Sequence, residues 1–247
     1  MPSCGFCGSE GQSQEHLWAG WLGRLILESR ARSGQKNFRV QMERAGKTTE
    51  YPNKDLELTV GMPCEPCNNG WMSNLENDVK SFMRDMAFRG GRTLLDEDRQ
   101  LKLVRWLVKT AMVNEFTGAS AEVKYFTEAE RLAFKERFSI PANVWIWIAR
   151  YDGALPLHSI QLRGSSAPPV PTAYSLTFGS NFLVAQLFAC RDLDFCRYAE
   201  ATKGSRLQQL YPAPGAWISW PPEKTLDDDE LQILDYRFAK VIGGEVS

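Results

Sequence analysis

Leu17, Trp18, Trp21, Leu22, Leu25 and Ile26 recur at threes and fours, the period that keeps apolar side chains on one helical face, so residues 17–29 are predicted helical. Phe38, Val40 and Met42 alternate with polar neighbours, and Ala45-Gly46-Lys47 separates them from a second strand-like run over residues 48–51. That pattern predicts a hairpin. Leu56, Leu58, Val60 and Met62 alternate again. A helix should follow from Asn68, since Trp71, Leu75, Phe82, Met83 and Met86 return to helical spacing before Gly90-Gly91 stops it.

Asp96 is placed to cap a helix running to about Phe116. Leu101, Val104, Val108, Ala111 and Met112 mark one face, but Leu103, Trp106, Leu107 and Val113 lie elsewhere on it. An apolar surface on more than one side predicts a centrally buried helix. Thr127 with Glu130 three residues on predicts a capping box, for a helix ending before Pro141. Beyond it the period changes to that of strands, over 144–151, 158–162, 174–178, 183–190 and 217–220, with a turn at Gly179-Ser180-Asn181 and a closing helix over 229–241. The fold class expected is α+β. Residues 1–94 should form one part and residues 95–247 a helical and antiparallel-sheet domain.

Cys4-x-x-Cys7 and Cys64-x-x-Cys67 change this picture. Two pairs of soft thiolate ligands suit a closed tetrahedral zinc site, and the separation of 57 positions from Cys7 to Cys64 is tolerable because loop closure becomes costlier only slowly with length. Glu15-His16 lies between the pairs and Asn68 directly after the second. A carboxylate, an imidazole and an amide oxygen could hold a second, oxygen-preferring ion. Glu57, Glu65 and Glu76 are supplementary ligands or ordinary surface charges, and His16 could alternatively be a packed residue or an extra zinc ligand.

Cys4-x-x-Cys7, Glu15-His16 and Cys64-x-x-Cys67-Asn68 together resemble the zinc-containing HNH, or ββα-metal, nucleases, including the recombination endonuclease VII type. The resemblance covers roughly residues 4–76. It implies a treble-clef-like ββα module with structural zinc, Glu15 and Asn68 as ligands of catalytic magnesium or manganese, and His16 as general base. The implied activity is hydrolysis of phosphodiester bonds, in DNA ahead of RNA. Trp18 stands where many members have proline, and Thr59 where an asparagine orients the base. These departures leave room for a non-catalytic zinc module that binds nucleic acid or protein.

Composition sets outer bounds. The chain has 247 residues, 43% of them apolar, enough for a sizeable core. It carries no run of eighteen apolar residues and no signal-peptide pattern, so a cytoplasmic protein with no membrane association is expected. Cys190 and Cys196 are expected as free thiols. Net charge is −1, yet residues 24–54 hold eight basic side chains against three acidic ones. Arg39, Arg44 and Lys47, on the expected hairpin, are therefore the candidate nucleic-acid contacts. The C-terminal part is assigned substrate selection, a protein partner or sensing.

Overall fold

The computed structural model describes residues 3–32, 38–44, 47–53, 58–117, 123–164, 170–192, 206–212 and 217–242, with backbone only over 30–53. Strand β1 (Gln14–His16) leads into helix α1 (Gly20–Arg32), whose Trp21, Leu22 and Ile26 are buried as their spacing requires. β2 (Phe38–Arg44) and β3 (Lys47–Asn53) pair as the expected hairpin, in a register that sets Arg44 opposite Lys47. β4 (Thr59–Gly61) then returns to β1, with His16 opposite Thr59 and Glu15 opposite Val60. The hairpin β2–β3 is an insertion between the strands of a shorter antiparallel ribbon.

From residue 65 to 89 the chain is helical apart from a kink at Gly70, whose φ of −93° and ψ of −110° are not helical, and this kinked run is α2. It starts three residues before Asn68, with Cys64 as N-cap and Pro66 in its first turn, where the fixed φ of proline suits a helix start. A regular α segment at Ser73–Arg84 follows the kink, and bonding widens to the π pattern at Asp85–Arg89. Gly90, in the left-handed region at φ 59°, ends it. β1 and β4 thus pair antiparallel, and α2 follows β4 in the chain.

β5 (Thr93–Asp96) was not anticipated; it pairs antiparallel with β11 (Trp217–Trp220). The division at 94/95 falls inside it. Asp96 caps α3 (Glu97–Asn114) by accepting from the Arg99 amide at 2.9 Å. This helix is buried along most of its length, as its all-round apolar pattern predicts. α4 (Glu128–Arg137) opens with the expected capping box at Thr127 and Glu130.

β6 (Val144–Tyr151), β7 (Leu157–Gly164), β8 (Ala173–Ser180), β9 (Leu183–Cys190) and β10 (Gln208–Tyr211) form an antiparallel sheet in the order β10-β6-β9-β8-β7, joined at β6 by the parallel β12 (Thr225–Leu226). Asn181 at φ 44° supplies the left-handed residue for the tight β8–β9 turn. Both sheet faces are covered. Val144, Ile146 and Ile148 join the cluster containing α2 and α3, whereas Trp145, Trp147, Ala149 and Tyr151 join one with the closing helix α5 (Asp228–Ile242). That period of two is the strand pleat.

The first cluster runs without interruption from Cys4, Phe6 and Met62 through α3 to the sheet. Trp106 of α3 meets Phe178 edge-on at 5.5 Å, and the Tyr174 hydroxyl donates to the Ala111 carbonyl at 3.0 Å. The two parts drawn from the sequence thus share one core. Cys190 is disulfide-bonded, against the expectation of a free thiol; Cys196 lies outside the described residues. Among the described residues no helix is long and apolar enough to cross a membrane.

Phe238 of α5 packs between Trp147 and Phe188 at 6.1 and 5.5 Å. Phe238→Ala should cost about 3–5 kcal/mol in urea unfolding, through lost transfer energy and the cavity left behind. Tyr236→Ala, on the same helix but 54% exposed, should stay within about 0.5 kcal/mol of the wild type.

Candidate metal centre and its surroundings

Cys4 and Cys7 stand on a tight knuckle in which the Gly8 amide donates to the Cys4 carbonyl at 2.9 Å. Gly8 has φ 72°, a left-handed conformation that glycine adopts without a Cβ penalty. Cys64 and Cys67 come from the N-cap and first turn of α2. Backbone bonds from Gly5 to Met62 at 3.0 Å and from Ser13 to Pro63 at 2.7 Å fasten the halves together. All four sulfurs lie within 4.8 Å of one another, and Cys7 is 3.6 Å from Cys64 and 3.7 Å from Cys67. Sulfurs bound at 2.3 Å around a tetrahedral ion are about 3.8 Å apart. The cluster can hold a metal ion such as zinc.

Ionisation is uneven across the four. Burial pushes the Cys64 and Cys67 thiols up; at Cys7 burial also opposes ionisation, but hydrogen bonding to Ser9 and to the Cys4 and Cys64 sulfurs outweighs it and lowers the thiol to about 6. A divalent cation at the centre removes this conflict by favouring thiolate at every ligand. The C-terminal half braces the knuckle, since Arg131 of α4 donates from Nε to the Gly5 carbonyl at 2.6 Å and stacks over Phe116; from α2, Trp71 meets Phe6 edge-on at 4.9 Å.

Glu15 and His16 are successive strand residues, so their side chains leave opposite faces of β1. Glu15 points inward and is buried. Its Oε1 accepts from Lys109 Nζ at 2.8 Å, and the same ammonium reaches Glu76 Oε1 at 3.0 Å. Lys109 is 2% exposed and sits in the C-terminal half of α3. Burial works against its charge, but Glu15 and Glu76 outweigh burial and raise its pKa above the ordinary lysine value. One ammonium therefore ties β1, α2 and α3 together.

His16 lies on the other side, half-buried beside the start of α1. A Cβ built on Gly20 would lie 3.6 Å from His16 Cε1 and 3.7 Å from Arg24 Nη1, ordinary contact distances, so both side chains flank this glycine. Asn68 turns its amide back onto the β1 segment, donating to Ser13 Oγ and to the Gln14 carbonyl, each at 3.0 Å. The amide is thus one residue from Glu15 along the backbone, while the Glu15 carboxylate is engaged on the inner face by Lys109. Glu65 accepts from Asn69 at 3.4 Å, and Glu57 lies outside the described residues.

The β2–β3 backbone places Arg39, Arg44 and Lys47 on the expected hairpin, and their side chains lie outside the described residues. Sequence reasoning missed Lys109. Its signal was a single charged residue within the otherwise uncharged run Trp106–Asn114 of a helix apolar on several sides.

Lys109→Met should destabilise the protein by about 3–5 kcal/mol, because it strands a buried carboxylate, and adding Glu15→Leu should recover most of that loss. Denaturant titration of the two variants checks this. The folded lysine value exceeds the unfolded one, so the stability Lys109 contributes is complete below about pH 10.4 and is lost as pH rises through the folded value. Alkaline unfolding of the wild type should carry that component, and the double variant should lack it. Comparison with known proteins finds no matching family model, no matching curated protein and no matching solved structure.

Proposed function

We propose that residues 3–89 are a zinc-stabilised ββα module that binds nucleic acid, with the acidic position before the histidine serving as a buried ion-pair partner. The observation that carries this reading is the Lys109 ammonium against Glu15. A divalent ion at Glu15 has to displace a lysine that is already buried and charged between two carboxylates. The hairpin with the basic excess and the ribbon-to-helix passage supply the scaffold and the charge for phosphate contacts. Cys4, Cys7, Cys64 and Cys67 hold the zinc, and the ion supports the fold without taking part in chemistry.

A second reading, hydrolysis, is favoured by His16. It lies on the opposite face from Lys109, with Thr59 across the ribbon and the Asn68 amide docked on the same strand segment. In that reading His16 takes the proton from the attacking water, magnesium or manganese supplies charge at the scissile phosphate when bound, and Asn68 contributes an amide oxygen to the ion.

Purified protein should contain about one zinc per chain by elemental analysis, and Cys67→Ser should lose the ion and unfold the N-terminal part. Gel-shift titrations with duplex DNA, single-stranded DNA and RNA should show binding that weakens as salt rises. In magnesium or manganese the same substrates should stay intact. Metal-dependent cleavage that His16→Ala slows by about 10²–10⁴ would replace the binding reading with the hydrolytic one.

A further inference from the structure

Between α1 and the α segment of α2 runs a cleft of about 400 Å³, lined by Trp21, Arg24, Glu28, Lys80, Ser81 and Arg84, among others. Three cations face one carboxylate there. Arg24, Lys80 and Arg84 are exposed, and among the described residues none of them is held in an ion pair. Arg137, Lys224 and Arg237 are likewise exposed and outside any ion pair among the described residues, but they stand apart from this cleft, whereas Arg24, Lys80 and Arg84 gather in it. The cleft therefore keeps positive charge available for an outside partner. Trp21 adds a second sign: it is buried, lines the cleft, and its indole N–H has no acceptor among the described residues.

The cleft's position matters as much as its charge. Arg24 borders Gly20, and His16 lies against the same glycine from the strand side. A chain of phosphates in the cleft would pass beside the half-buried face of β1 that carries His16. We propose that the α1–α2 cleft binds the phosphodiester backbone of nucleic acid, with Arg24, Lys80 and Arg84 contacting successive phosphates and Ser81 available as a neutral donor. The inference rests on the nucleic-acid reading above and deepens it by naming the surface. Spaced cations without aromatic faces turned to solvent favour contact through phosphates over stacking on bases. Recognition at this surface is consequently insensitive to sequence.

The test is fluorescence anisotropy with labelled duplex and single-stranded DNA at several salt concentrations. It compares wild-type protein, the cleft variant Arg24→Gln/Lys80→Gln/Arg84→Gln, and a control with equal charge loss outside the cleft, Arg137→Gln/Lys224→Gln/Arg237→Gln. The cleft variant should bind about 10- to 100-fold more weakly near 0.1 M salt, and the slope of log K against log salt should flatten by about 2–3. The control should change binding by less than about threefold. Circular dichroism and zinc content should match the wild type in both variants, since all six side chains are exposed. Wild-type binding that the cleft variant retains in full overturns the cleft and leaves the nucleic-acid reading standing. A wild type that binds no nucleic acid overturns both. Displacement of DNA by 10 mM inorganic phosphate at constant ionic strength also overturns the inference, because it marks a site for the free anion.

Discussion

Lys109 must stay charged inside the protein, and the arrangement around it follows from that need. An ammonium taken out of water loses several kcal/mol of solvation unless carboxylates and good geometry replace it. Here Glu15 comes from β1 and Glu76 from α2, while the lysine comes from α3. Three elements that are distant in sequence are consequently fixed relative to one another at one point. The four cysteines fix β1 and α2 at a second point, since the ribbon between the knuckles carries Glu15 and the helix after them carries Glu76. With two anchors the ribbon cannot slide or rotate on the helical core.

The same geometry divides the module into two faces. On the inner face the β1 carboxylate neutralises a lysine and joins the module to the sheet-bearing half through α3. On the outer face His16, Arg24 and the α1–α2 cleft remain accessible to a partner. Alternation along three strand residues produces this separation, so a single-residue register shift between β1 and β4 would exchange Glu15 with a neighbour and break both faces at once.

Much of this was legible in the sequence where one local rule was sufficient. The paired cysteines, the Thr127/Glu130 capping box, the Asp96 cap and the all-round burial of α3 each depend on residues within a few positions of one another. Long-range pairing was not. β5 has too few residues to show a period, and its partner β11 lies more than a hundred positions away, so nothing local announces the pair. Pro66 hid the true start of α2 because the apolar rhythm begins only after Asn68. Glu15 shows why the site was read differently from sequence: the residue type suits a metal ligand and a salt-bridge partner equally, and the deciding group, Lys109, sits 94 positions on. The α1–α2 cleft was equally hidden, since Arg24 and Lys80 become neighbours only when the helices pack.

The central claim is that an ammonium, and not a divalent ion, satisfies Glu15 in the working protein. Crystals of zinc-loaded protein soaked in manganese and measured at the manganese absorption edge test it most directly. The account predicts no anomalous peak within coordination distance of the Glu15 carboxylate, with Lys109 Nζ still about 3 Å from it. A manganese peak shared by Glu15 and Asn68, with the Lys109 ammonium displaced, would contradict it.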